Sequence, residues 1–168
     1  MNKKVLTEQS LYYGKVAMPK GFEIDRKKLA KDILISQEGN FDFPFSRTWD
    51  MLNTYIRDHF KLKFKIDLIN KKTWGYSYTD KGVTFPLLEA DPVDYRNSPD
   101  FTLLYGVKVD SCWLKIYYDD NRRKNKSWDI ELKNNRFVMF PSTNMYVISS
   151  KQEDSPNIIQ TITYEYSE

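Results

Sequence analysis

The chain has 168 residues, enough for one domain with its own core, and 40% hydrophobic against 29% charged residues excludes a disordered chain. The net charge of +3 is small for a nucleic-acid-binding domain, and the longest apolar runs fall well short of the ~18 residues that span a membrane. The single cysteine, Cys112, excludes an internal disulfide framework and any zinc site built on cysteine pairs.

Twelve Tyr and ten Phe bring the aromatic share to 15%, which biases the chain toward strands. The start, MNKKVLTEQS, is polar and carries no apolar stretch for secretion. SLYYGKVAM (10–18) is strand-like and is broken by Pro19 and Gly21. Asp25 is placed to cap a helix over RKKLAKDILIS, where Leu29 with Ile33 and Ala30 with Leu34 form i,i+4 pairs. Gly39 and Asn40 are its stop signal, and FDFPF is a proline-kinked connector. A second helix is expected after Ser46, with Trp49, Leu52, Ile56 and Phe60 forming one apolar stripe.

The period then changes. LKFKID (62–67) alternates strictly and is expected to be a strand with Leu62, Phe64 and Ile66 on one face. TWGYSYT, FTLLYGVKVD, CWLKIYY, SWDIEL, RFVMF, MYVIS and IIQTITYEY follow, each bounded by turn-forming residues. Such spacing predicts a mainly β fold: an eight-strand sandwich with two N-terminal helices on one sheet. The expected organisation is a single domain, with residues 1–61 as N-terminal strand and supporting helices and 62–168 as the sandwich core.

The order of these pieces resembles the iron(II)/2-oxoglutarate-dependent oxygenase superfamily, in particular its small phage-encoded members. The resemblance rests on WGYSYTDKG, the loop PLLEADP, the strand FTLLYGVKV, the hairpin through YYDDN, the corner NRFVMFPS and the last strand IIQTITYEY. It implies a double-stranded β-helix, or jelly roll, over residues 74–166. It also implies a site: a histidine and a carboxylate after the loop proline, a second histidine after the FPS corner, and a basic anchor for 2-oxoglutarate on the last strand.

At those positions this sequence has other residues. The first histidine aligns with Leu87, the carboxylate with Glu89 or Asp91, the second histidine with Tyr146, and the anchor with Gln160 or Ile159. The one histidine, His59, lies in the second helix and reads as a partly buried helix residue, and Lys151 is the only cation after Arg136. The facial triad needs neutral imidazoles that leave open positions on the metal, and neither leucine nor phenol supplies them. The expectation is therefore that these positions are vestigial, with no catalytic, metal-binding or cofactor-binding residues and no cofactor.

Other chemistry has little support. Cys112 lies in an apolar strand pattern and reads as a buried thiol. Asp119–Asp120 and Glu153–Asp154 are paired carboxylates in polar turns, as are the basic residues of NRRKNK (121–126), flanked by Asp129 and Glu131. A glycosidase pair of Glu89 and Asp129 has nothing further behind it. A fold can outlive its reaction, so the expected role is structural or interactive: a bacteriophage virion component of the neck, tail, baseplate or capsid. Its partners would be other structural proteins or further copies of itself, in the virion or host cytoplasm, with no membrane and no nucleic acid. Tyrosines in SLYYGKVAM and TITYEYSE would supply the contacts. The alternatives are an active iron(II)/2-oxoglutarate hydroxylase with atypical ligands and a jelly roll that binds a small molecule or glycan.

Overall fold

A computed structural model describes residues 1–5, 8–39, 46–78, 82–118, 126–151 and 156–167. Asn40, the FDFPF connector, Asp119, Asp120, residues 121–125 and the pair Glu153–Asp154 lie outside the described residues.

The two helices form where the apolar periods place them. Helix α1 (Arg26–Gly39) starts at Asp25, whose carboxylate accepts the Lys28 N–H at 3.1 Å. This satisfies one of the donors that a helix start leaves open. Leu29, Ala30 and Ile33 are buried. Helix α2 (Arg47–Phe64) buries Trp49, Leu52, Ile56 and Phe60, the stripe read from their spacing. Ser46 precedes it with an extended backbone, and its carbonyl accepts from Trp49 and Asp50, but its hydroxyl makes no cap bond.

LKFKID is not a strand. Helix α2 runs on to Phe64, past the boundary expected at residue 61, and ends where Lys65 turns left-handed (φ 59°) with its N–H on the Lys61 carbonyl. The reason is the i,i+4 pair Phe60–Phe64: both rings pack on Tyr12, at 4.7 and 5.0 Å, while Leu62 is left exposed. The added turn sets the Phe64 ring, 40% exposed, beside Phe60 and against Tyr12.

Nine strands are described rather than eight: β1 (Tyr12–Lys15), β2 (Asp67–Tyr78), β3 (Gly82–Val83), β4 (Phe101–Lys108), β5 (Cys112–Tyr118), β6 (Lys126–Leu132), β7 (Arg136–Pro141), β8 (Tyr146–Ser150) and β9 (Asn157–Ser167). They form two antiparallel sheets, one ordered β1-β7-β4-β9-β2 and the other β3-β8-β5-β6. LKFKID drops out of the expected eight, and β1 and the two-residue β3 join the sheets.

Alternation along each strand of the larger sheet feeds two cores. Leu103, Tyr105, Met139, Ile158, Ile162 and Tyr164 face the helices. Leu104, Val138, Phe140 and Ile159 face the smaller sheet and meet Cys112, Leu114, Ile116 and Ile148. Two glycines allow close approach. A Cβ on Gly75 would collide with the Ile33 side chain, so α1 lies directly on β2. A Cβ on Gly106 would collide with the Lys133 carbonyl, where the β6–β7 turn crosses β4.

The corner after β7 is tied down by polar groups. Thr102 and Ser142, both fully buried, share a 2.8 Å hydroxyl bond, and the Ser142 N–H donates to the Asp100 carbonyl. Buried hydroxyls without partners would be costly, so this pairing fixes where the chain turns back toward β8.

Candidate functional site

The loop between β3 and β4 lies against the start of β8. Leu87 and Tyr146 exchange both backbone hydrogen bonds, at 2.8 and 3.0 Å, and the Ala90 N–H donates to the Ser142 carbonyl. Leu87 and Tyr146 are thus neighbours. Tyr146 is 2% exposed, and its hydroxyl donates to a Glu89 carboxylate oxygen at 2.6 Å. Burial first, and then the Glu89 charge and hydrogen bond, push the Tyr146 phenol above its ordinary pKa. It therefore stays protonated at neutral pH and remains a donor to Glu89.

The structure separates the remaining candidates. Asp91 is exposed, and its carboxylate accepts the Val93 N–H in the turn beyond the site. Glu89 is the carboxylate that belongs with Tyr146. Gln160 points the other way: its amide donates to the Trp49 carbonyl at 3.1 Å on the helix side of β9. The expectation that Gln160 marks the anchor position is corrected on this point, and Ile159 is the residue that faces the space between the sheets. Strand alternation decides this, since neighbouring residues point to opposite faces. Lys151 places its ammonium 5.4 Å from the centre of the Trp113 ring, on the outer face of the smaller sheet. His59 is in α2 as expected but exposed rather than partly buried; it lies 2.9 Å from the Tyr55 carbonyl and against the Tyr55 ring.

Leu87, Glu89 and Tyr146 border a cleft of about 570 Å³ between β2, the β3–β4 loop and β8. Its opposite wall is Trp74, Tyr76 and Tyr78. These residues are cross-strand partners of Thr161, Ile159 and Asn157, which places them on the face of β2 turned toward the smaller sheet. The Tyr76 and Tyr78 rings lie 4.9 Å apart at 57°. Burial, followed by the charge on Glu89, raises the Tyr78 pKa. In TWGYSYT the aromatic residues at every second position are the sequence signal for this shared wall.

The donors gathered here do not fit an iron(II) centre of the two-histidine, one-carboxylate kind. Leu87 has no donor atom, Tyr146 is a neutral phenol whose proton is held by Glu89, and Glu89 alone could ligate a hard cation. Among the described residues lining the cleft, Glu89 is also the only charged side chain, so a 2-oxoglutarate dianion would meet like charge. No group of three or more metal-ligating side chains occurs anywhere among the described residues.

No protein-family model matches the sequence, and no curated protein aligns with it. Solved structures do. A prolyl-4-hydroxylase from Pseudomonas putida superposes with a TM-score of 0.66 at 12% identity, covering 94% of this chain and 88% of that one. The non-heme alpha ketoglutarate dependent epimerase SnoN from nogalamycin biosynthesis gives 0.66 at 11% identity, covering 93% of this chain and 77% of that one. A Trichoplax adhaerens prolyl hydroxylase, solved with a hypoxia inducible factor peptide, gives 0.60 at 13% identity, covering 92% and 83%. The chain therefore shares the double-stranded β-helix fold of the iron(II)/2-oxoglutarate-dependent oxygenases that it resembles.

Proposed function

We propose that this chain uses the oxygenase fold for binding and does not turn over 2-oxoglutarate. The observation that carries this reading is the Tyr146–Glu89 hydrogen bond beside the Leu87–Tyr146 backbone bridge. It closes the place of the metal with a neutral phenol, an aliphatic side chain and one carboxylate already in use. An open aromatic cleft remains next to it, and a cleft of that size takes a small molecule.

The test is direct. Purified protein incubated with iron(II), 2-oxoglutarate and oxygen should form no succinate. Iron(II) with 2-oxoglutarate, added without oxygen, should leave its melting temperature unchanged. Succinate above the level of a heat-denatured control would overturn the reading.

A structural place in a bacteriophage particle is the second form of this proposal, and β1 is the surface that supports it. It is an edge strand, with Tyr13 62% exposed, whereas β9 is paired on both sides, by β4 and β2, with Tyr164 buried and only Tyr166 exposed of its two tyrosines. Assembly through β1 is tested by replacing Tyr13 with Lys and measuring incorporation into particles from the source. Unchanged incorporation would remove this form of the proposal.

A further inference from the structure

We infer that the cleft selects a small organic cation, an alkylammonium or quaternary ammonium group held between the Tyr76–Tyr78 pair and Glu89. This rests on the reading of the cleft as a binding site and adds the chemistry of its ligand.

Two observations point the same way. First, Trp74, Tyr76 and Tyr78 come from alternate positions of one strand and form a continuous aromatic wall. The faces of aromatic rings carry negative potential and attract a cation within about 6 Å, the more so when it is partly desolvated. Second, the only charged side chain among the described lining residues is the Glu89 carboxylate. Its hydrogen bond from Tyr146 holds one oxygen, and an ionised carboxylate has about four acceptor sites, so capacity remains for a ligand. The chain's own Lys72 ammonium lies 5.0 Å from the centre of the Trp74 ring and occupies that ring, which leaves Tyr76, Tyr78 and Glu89 for a ligand. Wall and carboxylate both favour positive charge.

Choline, benzyltrimethylammonium and cadaverine serve as cationic probes in calorimetric titrations of the full chain. Uncharged 3,3-dimethylbutan-1-ol, the isostere of choline, and anionic 2-oxoglutarate are the controls. At least one cation should bind, and choline about tenfold or more tighter than its isostere. Glu89→Gln keeps an acceptor for Tyr146 and removes the charge, so it should abolish that tenfold preference. Tyr76→Ala, at a position 46% exposed, should weaken the cations about tenfold without lowering the melting temperature. Equal binding of choline and its isostere, or binding of none of the cations, would overturn this inference and leave the non-catalytic reading standing. Tight binding of 2-oxoglutarate with iron(II) would overturn both.

Discussion

Tyr146 is fixed by three contacts. Its ring packs on Phe140 at 5.1 Å, its backbone pairs with Leu87, and its hydroxyl is bound to Glu89. Tyr146→Phe keeps the packing and leaves the Glu89 oxygen without its donor. Because Glu89 is only half-buried and water can reach it, the loss should be about 1 kcal/mol, measured by urea unfolding. Tyr146→His should fold and still form no succinate, because Leu87 supplies no second ligand; turnover by this single variant would show that the surrounding residues suffice. Cys112 is the complementary case, a potentially reactive group made inert. It is fully buried, and burial, followed by the Glu131 charge, pushes its thiol up to about 12. The thiolate is the nucleophile, so an aromatic disulfide reagent should leave Cys112 unmodified at neutral pH and label it at once in denaturant. Rapid labelling of the native protein would contradict its placement in the inter-sheet core.

At the scale of elements, β1 and the β6–β7 turn show what edges and crossings cost. Strand β1 pairs with β7, Val16 behind it is 3% exposed, and Asn135 returns a side-chain bond to the Val16 carbonyl. Removing residues 1–20 therefore strips a core residue and uncovers the Phe60 and Phe64 rings. The truncated protein should melt several degrees lower, since each kcal/mol lowers the midpoint by about 2–4 °C at this size. Gly106→Ala should be worse than Gly75→Ala, because Gly106 meets the Lys133 backbone carbonyl and Gly75 only the Ile33 side chain, which can rotate. About 1–3 kcal/mol is expected for Gly75→Ala and the top of that range or more for Gly106→Ala. Equal melting temperatures would contradict the difference.

These elements also show where the sequence was legible. The α2 stripe follows from a 3.6 period and β5 from a 2.0 period that burial on one face enforces, whereas β4 and β9, buried on both faces, are legible from strand-favouring residues between turn formers. LKFKID satisfied both periods, and only the Tyr12 ring, distant in sequence, decides between them. No period marks Leu87, Glu89 and Tyr146, and only the family resemblance points to them. The side on which Gln160 lies depends on strand register, which a one-residue error inverts.

For the whole molecule, the aromatic richness has a consequence for pH. Burial raises the pKa of Tyr78, Tyr105, Tyr146 and Tyr164, and that of Cys112 to about 12. In the unfolded chain these groups titrate near ~10 and ~8.5. Between the unfolded and folded values the folded state keeps a proton that the unfolded state has lost. Stability is then full below pH ~8.5, begins to fall with the thiol, and falls more steeply above ~10 as the tyrosines join, by about 1.4 kcal/mol per pH unit for each group. Urea midpoints measured at pH ~7 and pH ~11 should differ accordingly; equal midpoints would show that these phenols are open to water.

The position of β9 between β4 and β2 has a meaning for synthesis. As the chain leaves the ribosome, β2 and β4 emerge early, and each presents an unpaired edge toward a gap that only residues 157–167 fill. Until then the larger sheet exists as two separate pieces, and the second core has no Ile159. Open edges of that length template pairing with other chains. A stalled or nicked product ending before Asn157 should therefore aggregate or depend on chaperones, while the complete chain remains dispersed. Supplying residues 157–167 as a separate peptide should rescue that fragment by inserting as the missing strand.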